Sequence, residues 1–185
     1  MLSTTELFVE HIISGILSLV WIVAIMLCFT GIDMTVLPVI KDFWGLLAVV
    51  TTAIAYPVGI FVDTFADKLL ERWNNKIKLY HGLNKDFSLL THINKDTDAN
   101  TTNYFIYNRF KTRVARSSFI NFAMIAISVA LLILRHGQHL GIEQPLKMSL
   151  VIFITFIILS VAALLLWNEI AKTVHEKSAK LWPNN

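Results

Sequence analysis

The sequence predicts an all-α polytopic membrane protein: four helices that cross a bilayer, with a cytoplasmic helical hairpin extending from the second and third. Three observations predict it. Four stretches, residues 12–32, 43–62, 117–134 and 148–167, contain no Asp, Glu, Lys or Arg, and each is close to the roughly 20 helical residues that cover a hydrocarbon layer of about 30 Å. The chain is 55% hydrophobic with a mean hydropathy of +0.60, more apolar than one small water-soluble core can hide. The basic residues are also distributed unequally. Ten of the 16 lysines and arginines lie between residues 63 and 116 and three more in the tail after 167, leaving only Lys41, Arg135 and Lys147 for the two short loops. Lys and Arg collect on the cytoplasmic side of a membrane, so both ends and the middle segment are expected inside the cell.

The first run is expected to stay as a helix, because residues 1–11 carry Glu6 and Glu10 but no Lys or Arg and lack the basic start of a cleaved signal peptide. Residues 151–154 and 164–166 are apolar on every side, which excludes the alternation of a barrel strand. In the second run Pro57 leaves the carbonyl of Ala53 without its helical donor, and Gly59 follows; together they predict a static kink or a hinge. Ser14, Ser18, Thr51, Thr52, Asn121, Thr155 and Ser160 are mild polar residues of the kind that pack spans together, as are the small pair Ala126 and Ala130. No span holds an ionisable group, which a proton relay or transporter would need. Trp44, Trp73 and Trp167 fall near the ends of spans and are expected as headgroup anchors.

The chain thus divides into residues 1–62 with two spans, 63–116 as the hairpin, 117–167 with two more spans, and 168–185 as a cytoplasmic tail. Past residue 62 the pattern becomes amphipathic, with Phe65, Leu69, Leu70, Trp73 and Ile77 on one helical face; Ile106, Phe110 and Val114 lead into the third span in the same way. Asp63, Asp67 and Glu71 recur at every fourth residue and so share a side. Arg109, Arg113 and Arg116 do the same on the returning helix. Run antiparallel, the two arms would pair Asp63 with Arg116, Asp67 with Arg113 and Glu71 with Arg109, a ladder that fixes register more than stability because exposed pairs contribute only about 0–1 kcal/mol each. The aromatic and basic residues of the hairpin, Trp73, Lys76, Lys78, Phe105, Arg109, Phe110 and Lys111, with Phe87 between the arms, have the composition of a protein-docking surface.

Chemistry is expected to be absent. Cys28 is the single cysteine, which excludes an internal disulfide. Asp96, Asp98 and Asn100 imitate the start of a calcium loop, but Thr101 stands at the glycine position and Tyr107 at the final acidic one. His136 and His139 are too few for a metal. No nucleophile, acid and base converge, so neither an enzyme nor a cofactor is expected. The excess of three positive charges suits topology and anionic headgroups, and no nucleic-acid partner is expected.

In layout the chain resembles the small tetraspan membrane subunit of the bacterial Kiwa anti-phage system. The resemblance is carried by four spans, cytoplasmic ends, the outgoing arm at residues 59–73 (Gly-Ile-Phe-Val-Asp-Thr-Phe-Ala-Asp-Lys-Leu-Leu-Glu-Arg-Trp) and the returning arm at residues 107–113 (Tyr-Asn-Arg-Phe-Lys-Thr-Arg). It implies a homo-oligomeric antiviral defence scaffold, embedded in the lipid bilayer of the bacterial inner membrane, that senses phage-induced membrane change and anchors a soluble cytoplasmic DNA-binding effector. The competing expectation is a pore-forming, holin-like protein or small channel, which needs a polar stripe along a span.

Overall fold

The computed structural model describes residues 4–31, 43–84, 89 and 98–182. These form four long helices: α1 (Thr4–Thr30), α2 (Trp44–Tyr80), α3 (Ala99–His136) and α4 (Pro145–Leu181), with no strand among the described residues. All four are long and apolar enough to cross a membrane. Their ends follow local chemistry. Asp98 caps α3 by accepting the amide of Thr101 at 3.1 Å, Arg135 and His136 occupy its last turn, where the dipole favours cations, and Pro145 opens α4, where its missing donor costs nothing.

The charge-free part of the bundle, the belt, turns an apolar surface outward, unlike a water-soluble protein. Its outer surface carries Met26, Phe29, Val49, Phe61, Ile158 and Leu165, all more than half exposed. Its interior holds Ser14, Ser18, Ser117, Asn121, Ser128 and Ser160 among small and aliphatic residues such as Ala55, Ala126, Ile120 and Ile125. In lipid, an apolar side chain gains nothing by leaving one hydrocarbon surface for another, so helices meet through small residues and polar bonds. α1 packs between α2 and α3, and α3 along α4. Where α1 meets α2 the backbones touch: a Cβ added to Gly15 would collide with the carbonyl of Ala55, and one added to Gly59 with the carbonyl of His11. Gly59 is therefore a residue of close approach, and the space a hinge would need is filled by α1; Pro57, two residues earlier, lies on the exposed side of α2.

Beyond the belt, α2, α3 and α4 continue as helices and pack together. α2 and α3 each run on for about 18 residues, roughly 27 Å at 1.5 Å per residue, and α4 for about 14. The segment after residue 167, expected as a tail, is helical to Leu181 and is the third member of the extended bundle, so this region is not a two-helix hairpin. Leu70 and Ile77 of α2 and Ala115 of α3 bury against Trp167 and Ala171 of α4. Phe105 of α3 buries against Val174, with Trp182 beside it. Trp167, expected as a headgroup anchor, is 1% exposed and stands edge-on to Trp73 with ring centroids 6.0 Å apart.

Candidate functional site

The densest polar constellation sits where the charge-free runs end, and it draws on three helices. Each carboxylate or guanidinium there is placed by a helix that turns small or apolar residues to the same side. On α2, Asp63 lies next to Val62 and a turn before Ala66, both buried; Asp63 itself is 8% exposed. Arg113 of α3 donates to Asp63 Oδ2 from Nη2 at 2.7 Å and from Nε at 3.0 Å. Its Nε also lies 3.2 Å from Glu10 Oε1 on α1, and its Nη2 2.9 Å from His11 Nε2. Guanidinium only donates, so His11 accepts there through an unprotonated nitrogen. Arg116 donates from Nη2 to Asp63 Oδ1 at 2.8 Å and from Nη1 to Asp67. A carboxylate shared by two arginines is the strong, charge-assisted kind of contact, and the partial burial here shields it from the screening that weakens surface pairs.

The expected ladder is thus redistributed. Arg116 holds both Asp63 and Asp67, while Arg113 turns from Asp67 towards Glu10 because α1 lies beside it. Among the described residues no ion pair joins Glu71 to Arg109; Glu71 is exposed and Arg109 half-buried. Two atoms of the knot, Glu10 Oε2 and Arg116 Nε, are buried without a hydrogen-bond partner.

From this knot a polar seam runs into the belt between α1 and α3. Glu10, Ser14 and Ser18 recur every fourth residue on α1, opposite Arg113, Ser117 and Asn121 on α3. Asn121 is fully buried. Its Oδ1 accepts from Ser18 Oγ at 2.8 Å and from Trp21 Nε1 at 3.1 Å, and its Nδ2 donates to the carbonyl of Ser14 at 3.1 Å. The facing order, Glu10 with Arg113 and then Ser18 with Asn121, makes α1 and α3 parallel. Ser14, Ser18 and Asn121, expected to pack spans together, do so here, whereas Glu10 carried no expected contact. The four-residue spacing was readable in each helix; that the two rows face each other was not.

The residues expected to dock a partner are dispersed. Phe105 is 0% exposed, tilted against Trp182 at 5.7 Å between ring centroids, and belongs to the core of the extended bundle: the same hydrophobicity that suggested an interface buries it against α4. Phe110 and Lys78 are half-buried. Trp73 is 45% exposed, and with Leu69, Leu70, Arg72 and Lys76 it lines a surface hollow of about 300 Å³ on α2. Lys111 stands 4.3 Å over the ring of Tyr107 on α3, a cation–π contact. Lys68, Arg72 and Lys76 form a row along α2 that takes part in no ion pair among the described residues. Phe87 and Asp96 lie outside the described residues. At the far end of the belt His136 Nε2 lies 3.2 Å from the carbonyl of Cys28, tying α3 to α1, and its ring is 6.5 Å from that of His139. Among the described residues no three His, Cys, Asp or Glu side chains are grouped to hold a metal.

A scan of protein-family models, a search of curated proteins and a search of solved structures each found no match to this chain.

Proposed function

We propose that this protein is a non-enzymatic scaffold of the bacterial inner membrane, oriented with both ends and the extended bundle in the cytoplasm, that assembles with copies of itself and docks a soluble protein partner. One observation carries the reading: three of the four helices run on past the apolar belt and build a second bundle with its own aromatic core, a costly construction for a protein whose work ends at the membrane surface. The outer face of that bundle offers Leu69 and Trp73 beside Arg72 and Lys76, an apolar anchor site with cationic flanks. The orientation rests on the excess of Lys and Arg at this end. A role in sensing phage-induced membrane change follows the resemblance in layout.

The geometry also changes which residues test the reading. Arg113 is bonded to Asp63 and Glu10, so reversing its charge breaks the fold along with any contact. Leu69 is exposed and free of such duties. A photoreactive amino acid at Leu69, activated in intact cells, is expected to capture one recurrent soluble protein, and Lys76→Glu to abolish that capture. Capture of lipid and of other copies alone would remove the docking role. For orientation, Tyr80→Cys in a Cys28→Ser background is expected to react with an impermeant maleimide only after the cells are opened.

The pore reading has one feature in its favour, the seam between α1 and α3. That seam is closed by its own hydrogen bonds at Asn121. Sustained dye leakage from proteoliposomes of the purified protein would favour the pore over the scaffold.

A further inference from the structure

The helical strap at the end of α4, residues 168–181, is held by unusually small side chains. Ala171, Val174 and Ser178 face inward, with Trp182 closing on Phe105. At its centre is His175, whose Nε2 lies 2.9 Å from Asn74 Oδ1 on α2. An amide oxygen accepts, so Nε2 carries the proton and Nδ1 the lone pair. That Nδ1 is buried with no hydrogen-bond partner: a proton arriving there finds no acceptor.

Nothing around the ring welcomes a second charge. From α2 it faces Lys78 and His81, and the Nε2 of His81 is itself buried without a partner. From α3, the side chains packed at this level are Tyr104 and Phe105, uncharged at neutral pH. On α4 the neighbouring charges are turned elsewhere: Glu176 to Lys180 at 2.7 Å, Lys172 to Glu169 at 3.0 Å, and Lys177 over the ring of Tyr104. Among the described residues no carboxylate contacts the imidazole.

We propose that His175 is a proton-operated release for this strap: the neutral ring lets α4 dock on α2, and protonation expels it, uncovering the faces of Leu70, Ile77 and Phe105. Burial first, then Lys78 and His81, press the folded-state pKa of His175 from 6.5 down to about 4. A group with a depressed basic pKa binds more protons when released than when docked. Its contribution is therefore complete above pH 6.5 and is lost as the pH falls towards 4. With an ordinary histidine in the released strap, the ratio of docked to released chains drops about tenfold between pH 7.5 and 5.5. In the proposed orientation a membrane made leaky to protons acidifies the side on which the strap stands, so the device would report loss of the barrier.

The test uses the full chain in lipid nanodiscs, with nitroxide labels at Tyr80→Cys and Lys180→Cys in the Cys28→Ser background. The short interspin distance should dominate at pH 7.5 and give way reversibly at pH 5.5 to a longer one, with the ratio moving about tenfold. His175→Gln keeps a donor for Asn74 but cannot take the proton, and should hold the short distance at both values. An unchanged distance in the parent, or an equal change in His175→Gln, overturns the proposal. Because that variant could be released already at pH 7.5, histidine NMR of the unsubstituted chain provides an independent measurement. A His175 resonance that takes up its proton over the same pH interval in which the longer distance appears supports the proposal; a ring that protonates while the short distance is kept, or a longer distance with the ring still neutral, overturns it.

Discussion

The belt and the extended bundle are made from the same helices, yet they are held together by opposite means. In the belt, α1 and α2 touch through glycine at Gly15 and Gly59, and α1 and α3 through Ser18 and Asn121, while leucines, isoleucines and phenylalanines cover the outside. In the bundle two large aromatic side chains, Trp167 and Phe105, are almost completely buried. The solvent explains the inversion. Water drives apolar area inward at about 25 cal/mol per Å², whereas lipid offers no such drive and leaves close backbone approach and polar bonds as the cohesive terms. The same contrast supports the membrane reading, since a bundle whose helices are bonded through buried serines and asparagine and whose outer surface is aliphatic has its stable surface in oil.

The comparison can be broken by substitution, measured as thermal unfolding of the purified protein in one detergent. Trp167→Ala, in the core of the bundle, is expected to cost about 4 kcal/mol. Asp63→Ala, at the junction, removes the carboxylate shared by Arg113 and Arg116, leaving Arg113 with Glu10 and Arg116 with Asp67, and should cost about 3 kcal/mol. The double variant Asp63→Ala with Arg113→Ala should cost less than the sum of its parts, because both single changes remove the same contact between the two residues. Gly59→Leu forces a side chain into the backbone of α1 and should cost about 2–3 kcal/mol. Asn121→Ala is expected to cost about 1 kcal/mol, the modest worth of a polar contact between spans. Ile158→Ala, on the lipid face of the helix that carries Trp167, should change stability by less than about 0.5 kcal/mol. If Ile158→Ala costs as much as Trp167→Ala, the two regions do not differ in solvent and the contrast is wrong.

The fold was legible where composition alone decides it: four uncharged runs of membrane-spanning length give four helices, and the amphipathic stretch from Phe65 to Ile77 gives the extension of α2. The strap of α4 was not, although Trp167, Ala171, Val174 and Ser178 recur at helical spacing. Three of those four are small or polar, and a face of small residues carries little hydrophobic signal even when it packs. For the site, Asp63, Asp67, Arg113 and Arg116 were readable as complementary rows. Their exchange of partners was not, because it depends on α1 lying beside α3, a choice made by Gly15, Ser18 and Asn121 at contacts that no periodicity encodes. Phe105 and Trp167 were misplaced for a common reason: an aromatic residue near a charged stretch reads equally well as surface anchor or core, and only the position of α4 decides.

The knot at Glu10, Asp63 and Arg113 also sets an order of events during synthesis. The two acids leave the ribosome long before either arginine that answers them, so a nascent chain holding only α1 and α2 displays two uncompensated carboxylates at the lip of the bilayer. Completion of the third span is what cancels them. A product truncated before Arg113 therefore keeps both carboxylates without the arginines that answer them.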